Sequence, residues 1–277
     1  MVAYADNHNA FAIGDINIFY PKLCGSAFYI YALLKIMPKI SIIIPARNEE
    51  LSIADTIARL EETLRIDCEI VIVNDHSTDK TKEIAGSLAA KYKNIKVIDN
   101  QGPASFVDAF LCGLRNIDSP VFVPVMADLC DEPETINRMY EKINEGYDIV
   151  AGSRYMPGGQ RMGGDYLKAF FSSFMGKTLH FLIGIPTYDI PNAFKMYRKT
   201  IMEDMQIDSV GFEVSAEIPL KAYFKGARIT EVPTIWKERK AGRSHFKMFK
   251  IGPRYIRLYI WAVLKSIFYP GSRANEV

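Results

Sequence analysis

The sequence predicts an α/β protein with a mostly parallel sheet, and two patterns carry that prediction. Between residues 39 and 152, short β-branched runs alternate with helical patterns. Alternation of this kind requires right-handed crossovers between parallel strands. One run, residues 121–126, is apolar enough to be covered on both faces of a sheet. It leads directly into a group of carboxylates: Asp128, Asp131, Glu132 and Glu134.

The composition is that of an ordinary globular protein, with 277 residues in one large or two small domains. A formal charge of +2 argues against nucleic acid as a partner. The four cysteines form no CxxC pair, which indicates a reduced, cytoplasmic chain without a zinc site. No apolar run reaches the roughly 18–20 residues that a bilayer-spanning helix needs. The N-terminus also lacks the features of a signal peptide.

The elements follow in order from their local patterns. Residues 1–38 are rich in aromatics but weakly periodic, and we interpret them as an accessory arm that packs on the domain or touches lipid. The alternating region gives strands at 39–45, 69–75, 95–99, 121–126 and 148–152, with helices at 51–64, after the capping cluster 77–79, at 106–116 and at 135–145. Beyond a glycine-rich loop at 157–164, the pattern predicts helices at 166–183 and 212–224 and strands at 193–197 and 228–236.

Polar residues recur where the predicted strands end. Pro45 and Asp75 end predicted strands, and Arg47, Asp128 and Arg154 each follow one. Ligands bind beyond the carboxyl ends of parallel strands, so these positions predict one shared site. Carboxylates there can hold Mg or Mn, and the cation can hold a diphosphate. Glu132 and Glu134 equally suit the first turn of the next helix, whereas Asp128 lies too early for that.

The last segment, residues 246–277, is predicted to contain a basic amphipathic helix. Its basic residues and one tryptophan follow helical spacing on one face: Lys250, Arg254, Arg257, Trp261 and Lys265. Apolar residues fall largely opposite them. Such a helix suits an anionic membrane surface. The alternative is a terminal helix packed on the core with its basic face in water.

Several nucleotide and nucleophile motifs do not occur in the sequence. It contains no Walker loop, no GxGxxG motif after a strand and no Gly-x-Ser-x-Gly elbow. Five other motifs, at residues 42–49, 72–79, 126–131, 152–159 and 239–244, stand in the order found in family 2 glycosyltransferases. The chain resembles that family over residues 39–247, and within it the dolichyl-phosphate mannose synthases and other polyprenyl-phosphate sugar transferases.

The resemblance implies a GT-A fold over residues 39–245 and assigns roles by position. The donor nucleotide sugar would bind to Pro45, Arg47, Glu49, Asp75 and Ala127. Asp128 would be a ligand of the divalent cation on the donor diphosphate. Three residues, Arg154, Lys168 and Ser172, would face an acceptor phosphate. Arg239 and Ser244 would close over the diphosphate from a mobile loop.

The sequence departs from the family motif at the acidic cluster. Met126 stands where the first Asp of an Asp-x-Asp pair is usual, and Cys130 where Gln or Ser is common. Either Asp131 completes the metal coordination, or the nucleotide holds the metal more loosely.

The resemblance therefore implies inverting transfer of a hexose, mannose or glucose, from a GDP-mannose or UDP-glucose type donor. The acceptor would be a polyprenyl (dolichyl-type) phosphate at the cytoplasmic face of a membrane, with the protein held peripherally on its anionic surface. A saccharide acceptor in surface-glycan synthesis is a second reading, and it would need a general base, for which Glu213 or Glu217 is the candidate. A third reading is an inactive nucleotide-sugar-binding protein.

Overall fold

The computed structural model describes residues 12–13, 16–17, 40–239 and 248–268. The chain divides into two compact units, residues 1–37 and 38–277. In the first unit, β1 (Ala12–Ile13) and β2 (Ile16–Asn17) form a short antiparallel pair. The rest of the predicted accessory arm lies outside the described residues.

The second unit contains the predicted alternation of strands and helices. Its strands are β3 (Ile40–Ala46), β4 (Cys68–Asn74), β5 (Ile95–Asp99), β6 (Val121–Pro124), β7 (Ile149–Ser153), β8 (Gln160–Met162), β9 (Lys195–Arg198), β10 (Ile229–Pro233) and β11 (Ile235–Lys237). Its helices are α1 (Ile53–Thr63), α2 (Thr81–Lys91), α3 (Phe106–Arg115), α4 (Thr135–Asn144), α5 (Tyr166–Ile183), α6 (Val214–Phe224) and α7 (Met248–Phe268), with a 3₁₀ turn at Lys199–Met202.

Seven strands form one sheet in the order β10-β7-β9-β6-β3-β4-β5. All neighbours are parallel except β9, which runs antiparallel to both β6 and β7. The prediction of a mostly parallel sheet is therefore confirmed. The chain builds β3, β4 and β5 outward on one side and then returns to place β6 on the other side of β3. The carboxyl ends of β3 and β6 consequently flank a crevice, which is where open α/β sheets bind ligands.

Successive side chains of the buried strands point to opposite faces of the sheet and fill two apolar layers. Ile43, Val73 and Phe122 face a layer that includes α3, α5 and α6. Ile42 and Ile70 face the opposite layer, which includes α1 and α4. Because both faces of the sheet are covered, the sequences of the central strands are continuously apolar and do not alternate between apolar and polar residues.

The strand predicted at 228–236 divides at Thr234. The Thr234 side chain is fully buried and its hydroxyl lies 3.0 Å from that of Thr135, while its N–H donates to Ser153 O at 3.0 Å. Beyond this point the chain leaves the main sheet, and β11 pairs in parallel with β8. The strand β8 was not predicted, because three residues are too few to show a period.

The structure divides the predicted basic face of the C-terminal helix. Arg254 donates to Glu213 at 3.4 Å, and Lys265 lies 5.0 Å from the ring centroid of Phe224, so these two basic side chains face the domain, whereas Arg257 is exposed. Large apolar side chains of α7 are exposed as well: Ile256, Ile260, Leu264, Ile267 and Phe268. The buried carboxylate of Glu213 attracts one basic residue of this face inward. No helix among the described residues is both long and apolar enough to cross a membrane.

Candidate functional site

A cavity of about 730 Å³ lies at the carboxyl edge of the sheet. Its charged lining residues come from strand ends, the short β8–β11 sheet and the start of α5: Asp128, Asp131, Arg154, Arg161, Asp165, Lys168, Glu238 and Arg239. Its apolar lining comes chiefly from α5 and α7: Phe171, Phe174, Met175, Pro253, Tyr255, Ile256 and Tyr259. One continuous space therefore joins a charged region to an apolar one.

The loop after β6 carries the two acids of the cavity, and neighbouring segments fix its shape. The Thr56 hydroxyl, on α1, donates a hydrogen bond to Ala127 O at 2.9 Å. On the other side, the N–H of Lys237 donates to Cys130 O at 2.8 Å. Within the loop, Cys130 N–H donates to Asp128 Oδ1 at 3.2 Å. These bonds hold one edge of the Asp128 carboxylate in place.

The other oxygen of Asp128 forms an ion pair with Arg239. The second guanidinium nitrogen of Arg239 lies 3.6 Å from Glu49 Oε1. Burial alone would lower the pKa of Arg239, but these two carboxylates outweigh it and raise that pKa above the usual value. The residues assigned by resemblance to the nucleoside pocket, to the cation and to the diphosphate, namely Glu49, Asp128 and Arg239, are thus in contact with one another.

Arg154 is anchored by a carboxylate that the sequence analysis did not identify. Its Nε donates to Asp189 Oδ2 at 2.7 Å and its Nη2 donates to Asp189 Oδ1 at 2.8 Å. Nη2 also donates to Ser172 Oγ at 3.0 Å. The Asp189 charge raises the pKa of Arg154 despite the opposing effect of burial. Arg154 and Ser172 both line the cavity, as does Lys168, so all three predicted acceptor residues lie together.

Asp131 is a half-buried residue whose buried Oδ1 has an unfilled acceptor position. Burial, reinforced by the charge of Asp128 and opposed by that of Arg154, raises the pKa of Asp131 to about 7. Its Oδ1 accepts no hydrogen bond from any residue that the structure describes. Within those same residues, no cluster of three or more His, Cys, Asp or Glu side chains could enclose a metal. Two carboxylates nevertheless suit a hard cation that takes its other ligands from phosphate and water, and Met126 lines the cavity beside them.

The nucleoside positions lie across the sheet from Arg154. The N–H of Asp75 donates to Ala46 O at 2.8 Å, which brings the ends of β3 and β4 together beside Pro45. Asn100 Nδ2 donates to Asp75 Oδ1 at 2.7 Å and thereby orients this carboxylate, which is almost fully buried. Arg47 is exposed and reaches Ala104 O at 3.5 Å. Sequence reasoning missed Asn100, although its place directly after β5 was a usable signal.

Glu213 and Glu217 are not brought to the cavity, since neither is among its lining residues. Glu213 Oε1 accepts from Val210 N–H at 3.1 Å and pairs with Arg254. Glu217 accepts from two backbone N–H groups at 2.8 Å each and pairs with Lys221. Both carboxylates thus stabilise the segment around the start of α6, and the geometry gives no support to a general-base role. Ser244 lies outside the described residues.

Two further acids lie just before α4 and pair with basic side chains of α1 and α4. Glu134 pairs with Arg59, and Glu132 Oε2 lies 3.3 Å from Arg138 Nη2. Their placement agrees with the interpretation of Glu132 and Glu134 as helix-start residues. Asp128 and Asp131 remain as the carboxylates of the cavity.

Comparison with known proteins places this arrangement in a family context. The family model described as glycosyl transferase family 2 matches residues 41–206. The chain is 32% identical over 231 residues to a dolichol-phosphate mannosyltransferase of Pyrococcus furiosus, a match that covers 80% of this chain and 64% of that protein. It is 27% identical over 230 residues to a polyprenol monophosphomannose synthase of Mycolicibacterium smegmatis, covering 80% and 86% of the two chains.

Solved structures resemble the fold. Glucosyl-3-phosphoglycerate synthase from Mycobacterium tuberculosis, in complex with Mn²⁺, UDP and glucosyl-3-phosphoglycerate, superimposes with a TM-score of 0.63. The match covers 88% of this chain and 86% of that one at 16% identity. At that identity the likeness establishes the GT-A architecture and nothing about the substrate.

Proposed function

The chain belongs to glycosyl transferase family 2, and from that membership we propose that it transfers a hexose, mannose or glucose, from a nucleotide sugar to a polyprenyl phosphate. The relatives named for dolichol-phosphate and polyprenol phosphate mannosyl transfer support this assignment. The chain spans 64% of the length of the Pyrococcus furiosus relative, so the proposal concerns the activity of the region that they share.

The observation that carries the proposal is the two-part cavity. Phe171, Phe174 and Ile256 line it and are also 52%, 53% and 60% exposed, so the apolar part opens to the surface between α5 and α7. The charged part contains Arg154 and Lys168. A polyprenyl phosphate has one anionic group on a long apolar chain and needs both parts. A saccharide or a small phosphorylated acid would leave the apolar part without a ligand.

The residues at the charged end define the chemistry. Arg239 would move from Asp128 to the donor diphosphate, where its positive charge stabilises the leaving group. Asp128, with Asp131 beside it, would hold a Mg or Mn ion, which supplies further charge stabilisation to the diphosphate when bound. Asp75, oriented by Asn100, would hold the base or ribose, next to Pro45 and Arg47.

The reaction is a single displacement at the anomeric carbon. An oxygen of the acceptor phosphate forms the new bond to that carbon as the bond to the donor diphosphate breaks, and the electron pair leaves with the nucleoside diphosphate. This path inverts the anomeric configuration. A phosphate monoester is already anionic near neutral pH and needs no proton removed, which agrees with the placement of Glu213 and Glu217 away from the cavity.

The apolar surface around the cavity mouth supports peripheral binding to a membrane. Exposed side chains on α5 include Tyr166, Phe170, Phe171 and Phe174, and those on α7 include Ile256 and Ile260. The exposed basic residues Lys177 and Arg257 lie on the same two helices. Apolar insertion together with basic side chains fits the anionic cytoplasmic face of a membrane, where a polyprenyl phosphate resides.

A panel of acceptors tests the proposal. The protein is incubated with radiolabelled GDP-mannose or UDP-glucose, Mg or Mn, and one acceptor: a short prenyl phosphate, the matching prenyl alcohol, 3-phosphoglycerate or an oligosaccharide. We expect label in the organic phase with the prenyl phosphate alone. Label on the oligosaccharide would support the saccharide-acceptor reading instead. Tight nucleotide binding without transfer to any acceptor would identify an inactive binding protein.

A further inference from the structure

Arg161 is a basic residue of the cavity wall that the motifs of the sequence did not mark. It lies on β8, with Trp236 of β11 as its partner in the parallel ladder. Its guanidinium carbon lies 4.3 Å from the centroid of the Trp236 ring, so the side chain is stacked over the indole. Both residues line the cavity. This cation–π contact restrains the guanidinium beside the indole at the cavity wall.

We propose that Arg161, held by Trp236, binds the phosphate group of the acceptor. The inference rests on the proposed function and names a further residue for it. The Arg161 Nε is buried and meets no hydrogen-bond acceptor within the described part of the chain. A buried donor without a partner is costly, and a phosphate oxygen that accepts from it removes that cost through a charge-assisted bond.

The other two guanidinium groups of the wall are already held by acids. Asp189 occupies the fork of Arg154, and Arg239 is paired with Asp128 and Glu49. A guanidinium engaged in this way must exchange a carboxylate for the phosphate, whereas Arg161 has no carboxylate partner among the described residues and its Nε has no acceptor there. Arg161 therefore contributes a guanidinium that can turn toward the phosphate without giving up an ion pair.

The position of β8 favours the acceptor over the donor. In the main sheet, β7 and β10 lie on one side of β6, whereas β3 and β4, which carry the nucleoside residues, lie on the other side. The β8–β11 pair follows β7 and β10 in the chain and leads through Gly163 and Gly164 into α5. That helix carries Lys168 and Ser172, together with the apolar wall at Phe171. Arg161 thus lies on the strand that leads into the helix carrying the residues assigned to the acceptor.

Gly164 leaves the space that the stacked pair occupies. A Cβ on Gly164 would lie 2.7 Å from Arg161 Nη2 and 3.1 Å from the Trp236 ring. The backbone there also has a φ of +80°, which side chains rarely adopt. Glu238 accepts the Gly164 N–H at 3.0 Å and fixes this turn against β11. The local backbone is therefore shaped around the Arg161–Trp236 contact.

Fluorescence measures the proposed contact without turnover. The chain has two tryptophans, so Trp261→Phe leaves Trp236 as the single indole, and a short, water-soluble prenyl phosphate is titrated into that protein. We expect saturable quenching with the phosphate and none with the prenyl alcohol. Arg161→Met should weaken the binding about ten- to a hundredfold, the range of one charge-assisted hydrogen bond. Because no transfer is measured, this result can hold even if the transferase proposal fails.

Steady-state kinetics then separate acceptor from donor. Arg161→Met should raise the KM for prenyl phosphate by a similar factor while leaving the affinity for nucleoside diphosphate within about twofold. Trp236→Leu should raise the same KM. Trp236→Phe should keep the KM close to the wild-type value, because a ring remains under the guanidinium. The control is Lys237→Met, which removes one positive charge from the exposed face of the same strand.

Two outcomes would overturn the inference. In one, Arg161→Met weakens nucleotide binding and leaves the acceptor KM unchanged, which would assign Arg161 to the donor. In the other, Arg161→Met and Lys237→Met change the acceptor KM equally, which would reduce the effect to general charge.

Discussion

Arg239 and Asp128 form an ion pair although 111 positions separate them in the chain. Asp128 lies in the loop after the central strand β6, and Arg239 follows the outlying strand β11. Glu49, in the loop after β3, completes the contact with Arg239 from the far side of the crevice. Arg239, Asp128 and Glu49 therefore connect three parts of the molecule: the segment after β11, the acidic loop after β6 and the nucleoside side of the sheet.

Substitution of Asp128 tests the acid that we propose as the cation ligand. Asp128→Asn keeps the shape of the side chain but removes its charge, so metal-dependent binding of the nucleotide sugar should be lost. Calorimetric titration of the donor with and without Mn measures this effect. The matched control is Asp118→Asn, which neutralises an exposed acid. Unchanged, metal-dependent binding in Asp128→Asn would remove Asp128 from the site.

Replacement of Arg239 tests stabilisation of the leaving group. Arg239→Met should lower kcat about a hundred- to a thousandfold, the cost of losing one preorganised charge in a transition state. Arg239→Lys should recover part of that loss, since it retains the charge without the fork. Rapid-quench kinetics at saturating donor give the rate of the chemical step. A change in donor affinity with kcat preserved would instead mean that Arg239 acts only in ground-state binding.

The Arg154–Asp189 pair should contribute strongly to stability. Asp189→Asn removes the charge from a fully buried carboxylate that accepts the guanidinium fork. Leaving a buried charge without its partner costs about 3–5 kcal/mol, so the free energy of unfolding in urea should fall by that order. The exposed pair at Lys142 and Glu145 is the comparison, and Glu145→Gln should cost at most about 1 kcal/mol.

Lys195 should be a second buried anchor of the same region. Its ammonium donates to the carbonyls of Ile190 at 2.8 Å and Ser215 at 3.3 Å, and also to that of Asn192. Lys195→Met leaves buried carbonyl groups without a donor, at a cost of about 1–3 kcal/mol each if no water replaces it. Thermal unfolding measures the loss. Lys93→Met provides the surface control, and an equal Tm for both variants would show that Lys195 carries no structural role.

The apolar surface of α5 and α7 should mediate membrane binding. Phe170→Glu and Ile260→Glu each place a charge on an exposed apolar position and should reduce sedimentation with anionic liposomes. Leu51→Glu is the control, because Leu51 is 67% exposed but lies outside these two helices. If all three variants sediment equally with the liposomes, the α5–α7 surface is not the membrane contact.

The sequence predicted the order of strands and helices along the chain better than it predicted which side chains are in contact. Apolar runs indicated the parallel strands. The position of Asp128 after one of these runs indicated that it belongs to the site. Asp189 lies in an irregular loop, so no period marked it as the partner of Arg154. The helix α5 is apolar around most of its circumference, and its sequence therefore could not indicate which face remains exposed.

The acidic cluster shows a second limit. The sequence offered Glu134 either to the site or to the next helix and named Asp131 only as one way to complete the metal coordination. The fold separates them, because Glu134 pairs with Arg59 while Asp131 lines the cavity. The stack of Arg161 on Trp236 was equally hidden, since it depends on pairing between strands of three residues each.

The structure of the reaction product tests most directly whether the protein transfers a hexose to a polyprenyl phosphate. The protein is supplied with a nucleotide sugar, Mg or Mn and a short prenyl phosphate, and the product is analysed by mass spectrometry and by NMR at the anomeric carbon. We expect a hexose joined through its anomeric carbon to the prenyl phosphate, with the configuration inverted from that of the donor. A product with retained configuration, or a hexose joined to a hydroxyl group, would contradict it.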